Sequence, residues 1–176
     1  NVEDVNEDGL TPTEIETKLK DWTILDSKRL YIHNSFDFII QSIGVFSNHD
    51  IIKRACGTLI DHLQHLKVQF ETGAAQIKPT ATTMNNGFDI ILDNADHTIG
   101  KIIEYAFFHH MYEGSSNVLT FCGFRKIHPH DTFCTIRIAY KEETIVDKVA
   151  IDLVKCISSL IALYTIIQQK IDNIQS

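Results

Sequence analysis

No two of the four cysteines form a C-x-x-C pair, so the sequence lacks the close-set ligands on which zinc ribbons depend. Their even number permits disulfides. Cys56 and Cys156, however, fall in amphipathic helical patterns, where free cysteine behaves as a small buried hydrophobe. A reducing compartment fits that usage best. No Gly-rich phosphate loop of the form GxxxxGK[ST] occurs. No basic stretch followed by an apolar one opens the chain, so no signal peptide is expected. No uncharged apolar run reaches the roughly 18 residues of a spanning helix. The first residue is not Met, and we expect a piece of a longer polypeptide.

Basic charge is also scarce. Sixteen Lys and Arg face 23 acids, for a net charge of −7. Glu3, Asp4, Glu7 and Asp8 stand among the first ten residues with no base, and the remainder carries −3. So mild a charge gives no general attraction to phosphate backbones, which argues against direct nucleic-acid binding over a wide face. What is present is ordinary for a globular chain: 176 residues, 44% apolar and 22% charged. That length suits one domain or two small ones and can bury a sizeable core.

Along the chain, residues 1–20 read as an acidic, weakly ordered lead-in, broken by Gly9 and Pro12. Segments 29–34 and 36–43 read as strands, with Phe36, Phe38 and Ile40 alternating with Asp37 and Ile39. A helix over about 50–71, capped by Asn48 or Asp50, carries the stripe Ile52, Ala55, Cys56, Leu59, Leu63, Leu66 and Phe70. Residues 72–86 are small, polar and without period, and read as a linker.

A β–α–β–β–α unit follows. Its expected parts are a strand over 88–92, a helix over 97–112 capped by Asp96, and a turn over 113–117. Strands over 119–127 and 132–140 form an antiparallel hairpin, and a long helix over 143–174 closes the chain. The closing helix bears Val146, Val149, Leu153, Ile157, Leu160, Tyr164, Ile167, Ile171 and Ile174. Ile151, Val154 and Ile161 widen its apolar arc beyond what one sheet can cover. Two helices with apolar surface to spare imply a helix-to-helix interface, within the chain or with a partner. The expected architecture is α+β, an antiparallel sheet with long amphipathic helices packed on one face.

Candidate chemistry is sparse. Asp96-His97-Thr98-Ile99-Gly100 opens a helix after a strand. Asp96 suits a cap, Gly100 suits close packing, and a base role for His97 lacks a nucleophile placed by the sequence. His62 and His65 lie three apart outside the apolar stripe. His109 and His110 are adjacent and diverge on a helix. His128, His130 and Asp131 around Pro129 make a weak metal candidate against an ordinary turn. Trp22 packs the lead-in or marks a partner contact, and the residues do not choose.

These segments resemble a known family. Residues 88–173 resemble the small dimerisation subunit of multisubunit RNA polymerases, of the eukaryotic eleventh-subunit and archaeal L type. Its signature of acids, His-Thr, an aliphatic residue and Gly is matched by Asp96, His97, Thr98, Ile99 and Gly100. Its later aromatic, His-Pro and arginine-bearing strand positions are matched by Leu119, Phe121, Phe124, His128, Pro129 and Arg137. Ala95, Lys101, Leu119 and Phe124 depart from the pattern, and the stretch between Lys101 and Leu119 is longer than usual. Residues 36–44, with Gln41 for a glutamate, resemble the strand that leads into the last helix of the third-largest, alpha-like subunit.

The chain is therefore similar to the fused third- and eleventh-type subunits of African swine fever virus and related large DNA viruses. The resemblance implies an end of an alpha-like half over 21–71, a linker over 72–86 and an eleventh-type domain over 87–176. The first strand, first helix and inserted domain of the alpha-like half are absent from the sequence. It implies a dimerisation seam of Ile52, Leu59, Leu63, Leu66, Val149, Leu153, Ile157, Leu160, Tyr164 and Ile167. It also implies a structural subunit without catalysis, metal or cofactor, and a platform for the two largest polymerase subunits. Self-association of this piece and an intracellular setting follow, in a viral case the host cytoplasm with its virus factories and the virion. A free-standing dimerisation or adaptor protein on the same fold, and a small His-dependent or metal-binding enzyme, are the alternatives.

Overall fold

The computed structural model describes residues 10–74 and 76–174. The chain divides into two compact units, Asn1–Ile40 and Gln41–Ser176. The acids at positions 3–8 lie outside the described residues.

In the first unit, helix α1 (Pro12–Ile24) occupies part of what reads as a weakly ordered lead-in. Thr11 caps it. Its side chain accepts from the Glu14 amide, and the Glu14 carboxylate accepts from the Thr11 amide at 2.9 Å. This reciprocal box, with Pro12 at the first helical position, stabilises the start of the helix rather than breaking it. The hydrogen bonds from Thr11 hold the Glu14 carboxyl below the usual carboxylate range. A 3-10 turn follows at Ser27–Arg29. No described residue of this unit is buried.

The expected strands over 29–34 and 36–43 do not form among the described residues. Alternating apolar side chains supply a burial pattern, but a strand also needs a hydrogen-bonded neighbour. None of the sheet's four strands pairs with this segment.

The second unit opens with helix α2 (Asn48–Glu71). Its cap is Ser47, not Asn48 or Asp50. The Ser47 hydroxyl oxygen accepts from the Asp50 amide at 3.1 Å, while the Asp50 carboxylate takes the hydroxyl proton at 2.7 Å. Ser47 wins because the cap must lie outside the helix in extended conformation, which it does at ψ 158°.

Strand β1 (Gln76–Pro79) then runs through the expected linker. It pairs antiparallel with β2 (Gly87–Asp93), Ile77 opposite Ile90. As an edge strand it tolerates Pro79 and needs little apolar content, so composition alone hides it.

Helix α3 (His97–Phe107) begins at the expected cap: one Asp96 carboxylate oxygen accepts from the Thr98 and Ile99 amides at 2.9 and 3.2 Å. Its last stretch is a π-helical turn, Phe108–Tyr112. Strands β3 (Leu119–Arg125) and β4 (Phe133–Tyr140) form the hairpin, and helix α4 (Val146–Ile174) closes the chain. The sheet is antiparallel with strand order β1-β2-β4-β3. The architecture is α+β, as the sequence predicts.

The core joins alternate residues of the strands to all three helices of this unit. Phe88, Ile90, Leu92, Cys134, Ile136 and Ile138 meet Leu63, Leu66 and Phe70 of α2, Ile99, Ile103 and Phe107 of α3, and Val149, Leu153 and Ile157 of α4. On the other face of the sheet, Arg137 makes a two-point pair with Asp89, at 2.6 and 2.8 Å.

By length and composition Val146–Asn173 is apolar enough to cross a membrane. Asp147, Lys148, Asp152, Lys155, Lys170 and Asp172 interrupt it, so it is not an uncharged run. Val149, Leu153, Ile157 and Leu160 are buried in the core, while Ile151, Leu163 and Ile166 stay about half exposed.

Candidate functional site

The expected seam residues lie on two helices that pack against each other. Lys53 of α2 pairs with Asp172 of α4 at 2.6 Å, and Gln168 donates to the Lys53 carbonyl at 3.0 Å. Cys56, one turn on in α2, lies near Tyr164, earlier in α4. Sequence rises in one helix as it falls in the other, so the pair is antiparallel. Gly57 faces Gln168 closely enough that an added Cβ would lie 3.4 Å from the amide nitrogen.

Of the seam, Leu63, Leu66, Val149, Leu153, Ile157 and Leu160 are buried. Leu59 and Tyr164 are partly buried against the same core, and Ile52 and Ile167 are half-buried near the helix ends. Ala55 is exposed, and Cys56 takes the inner position beside it. Burial pushes the Cys156 and Cys122 thiols up to about 12 and Cys134 up to about 11, and it also raises Cys56. All four are free, and Cys56, Cys134 and Cys156 are buried.

The motif residues fall in three places. Asp96, His97, Thr98 and Gly100 form the first turn of α3. The hydrogen bond from the Ile99 amide is the largest cause holding the Asp96 carboxyl below its usual range. The Thr98 hydroxyl reaches the same carboxylate at 3.3 Å. The His97 ring packs 5.2 Å from the Phe124 ring, centroid to centroid, and Phe124 lies over Gly100. Asp96 therefore caps, and His97 faces an aromatic ring rather than a carboxylate.

His128 and Pro129 lie in the β3–β4 connection. The His128 amide donates to Asp131 at 3.0 Å, and the His130 amide donates to His128 Nδ1 at 3.2 Å. Nδ1 is thus an acceptor, and the pattern is that of a turn closed on itself. Phe121 and Arg137 lie on the outer side of the sheet. The Phe121 ring lies over Gly123, so that an added Cβ there would fall 2.9 Å from it. Among the described residues no group of three or more His, Cys, Asp or Glu is placed to hold a metal ion. His62 and His65 are exposed on α2, as their position outside the stripe predicts.

Sequence reasoning missed a polar group at the far end of the helix layer. Asp152 of α4 is 3% exposed; it accepts from the Tyr140 hydroxyl at 3.0 Å and from Lys148 at 2.8 Å. Burial, then the Asp152 charge, raises the Tyr140 phenol far above its usual range. The i, i+4 spacing of Lys148 and Asp152 was a legible signal; the partner on β4 was not.

Comparison with models of known protein families finds no match, and comparison with curated proteins finds none either.

Proposed function

We propose that this chain is a non-catalytic assembly subunit of a DNA-directed RNA polymerase, a dimerisation platform on which the two largest subunits assemble. The observation that carries this reading is the antiparallel α2–α4 pair on one side of a β–α–β–β–α sheet. That sheet's central helix opens with Asp96-His97-Thr98-Ile99-Gly100. A structural role accords with Asp96 as a cap and His97 against Phe124. The half-exposed Ile151, Leu163 and Ile166 give α4 apolar surface to offer a partner. The same surface, with exposed Leu30, Tyr31, Phe36 and Phe38, makes the isolated chain self-associate. In this reading the chain binds neither nucleic acid nor membrane directly.

A native pull-down from the source system, read by mass spectrometry, tests it. Recovery of the two largest polymerase subunits in near-equal amounts is the expected result. Recovery without any polymerase subunit overturns the assignment and leaves an adaptor role on the same fold. Light scattering tests self-association, and a monomer at high concentration contradicts it.

A further inference from the structure

A cavity of about 370 Å³ lies between the turn at 113–117 and the N-terminal half of α4. Its lining is rich in hydrogen-bond donors: Lys148, Lys155, His110, Ser115, Ser116 and Ser159. Asp152 is the one carboxylate in that lining. It is buried behind Lys148 at 2.8 Å and the Tyr140 hydroxyl at 3.0 Å, while Lys155 lies farther off, at 3.8 Å. Lys148 balances Asp152 and leaves the charge of Lys155 in excess. The Lys155 side chain is 71% exposed and is held only by this long contact with Asp152.

The remaining donors divide into those already engaged and those open to a ligand. The Ser159 hydroxyl gives its proton to the Cys156 carbonyl at 2.7 Å, so its contact with His110 Nε2 at 3.2 Å requires the imidazole to donate. Ser159 and His110 therefore spend their protons within the protein and form the wall of the cavity rather than its free donors. The hydroxyls of Ser115 and Ser116 make no hydrogen bond to other described residues. An adjoining cavity shares Ser116, Val118 and Lys148 but brings Glu142 and Glu143. Those acids disfavour an extended polyanion and leave room for a compact one.

We propose that this cavity is a binding site for a compact oxyanion of the phosphate class, either free phosphate or the phosphate group of a modified side chain. The lysine ammonium groups supply charge-assisted hydrogen bonds, and the hydroxyls of Ser115 and Ser116 supply neutral donors to the remaining oxygens. The site is independent of the seam and of the assembly role.

The test is an NMR titration of the full chain with sodium phosphate, at constant ionic strength set with sodium chloride, and with sodium acetate as a second anion. A phosphoserine tripeptide forms a further arm. The expected result is saturable shifts at the Ser115, Ser116 and His110 amides with phosphate, weaker ones with acetate and none with chloride. Tighter binding of the tripeptide assigns the site to a modified side chain, and tighter binding of phosphate assigns it to the free ion. Lys155→Gln weakens binding about tenfold or more, and Lys67→Gln, on α2, leaves it unchanged. Because Lys155 is exposed, Lys155→Gln keeps the fold, and Ser116→Ala provides a second exposed variant with weakened binding. Equal shifts with chloride, shifts scattered over unrelated lysines, or wild-type affinity in Lys155→Gln would overturn the proposal.

Discussion

The Tyr140 hydroxyl donates to the Asp152 carboxylate at 3.0 Å, joining the last residue of β4 to the second turn of α4 across only the short 141–145 connection. Asp152 is 3% exposed, so its charge is tolerable only because Tyr140 and Lys148 satisfy it. Tyr140→Phe leaves the ring in place and removes one donor from a buried carboxylate. The expected loss is about 1–3 kcal/mol, read as a lower urea midpoint with an unchanged slope.

Leu153 has no exposed surface and sits in the core between α4 and the sheet. Leu153→Ala removes buried methyl groups and leaves a cavity, with an expected cost of about 2–5 kcal/mol. Leu153→Asp puts an unpaired charge in the same place and abolishes folding of the second unit. Circular dichroism checks both, and a native-like melt of Leu153→Asp would mean that the seam is misplaced.

Gly100 is required by its neighbours. A Cβ there would enter the Phe124 ring and lie 3.1 Å from Cys134 Sγ. Gly100→Ala forces Phe124 aside, which also disturbs its contact with His97. Overpacking of this kind costs about 1–3 kcal/mol. Thermal unfolding gives the loss, and the His97 ring proton shifts report the displaced aromatic ring.

The Asp96 cap predicts a pH dependence. Its folded carboxyl titrates below the unfolded value because the ionised form accepts from the Ile99 and Thr98 amides. The unfolded chain therefore binds the proton more readily, and stability is lost as pH falls from about 4 through the folded value. Asp96→Ala removes this component and costs about 1 kcal/mol at neutral pH. Denaturation midpoints measured from pH 3 to 7 in both proteins give the difference.

The cysteines are protected by burial, which raises all four thiols, two of them to about 12. At pH 8 the folded protein reacts slowly with a thiol-specific reagent, and all four react at once in denaturant. Fast reaction of Cys156 in the native state would contradict its place in the core.

The sequence by itself determined the elements whose information is local. The stripes of α2 and α4, the Asp96 cap, the β3–β4 hairpin and the buried places of Cys56 and Cys156 depend on spacing along one element, so periodicity finds them. Local information also lay unused in Thr11-Pro12-x-Glu14, whose box starts α1.

Only the tertiary structure decided the features that need a partner distant in the chain. Segments 29–34 and 36–43 have strand-like alternation but are not among the strands of the described sheet, whereas Gln76–Pro79 becomes a strand because β2 offers its edge. The antiparallel meeting of Lys53 with Asp172, the burial of Asp152 beneath Tyr140, and the donor-lined cavity beside it depend on packing between elements far apart in sequence. A backbone ladder or a buried charge is stable only where a second group completes it, and which groups meet is settled when the helices close over the sheet.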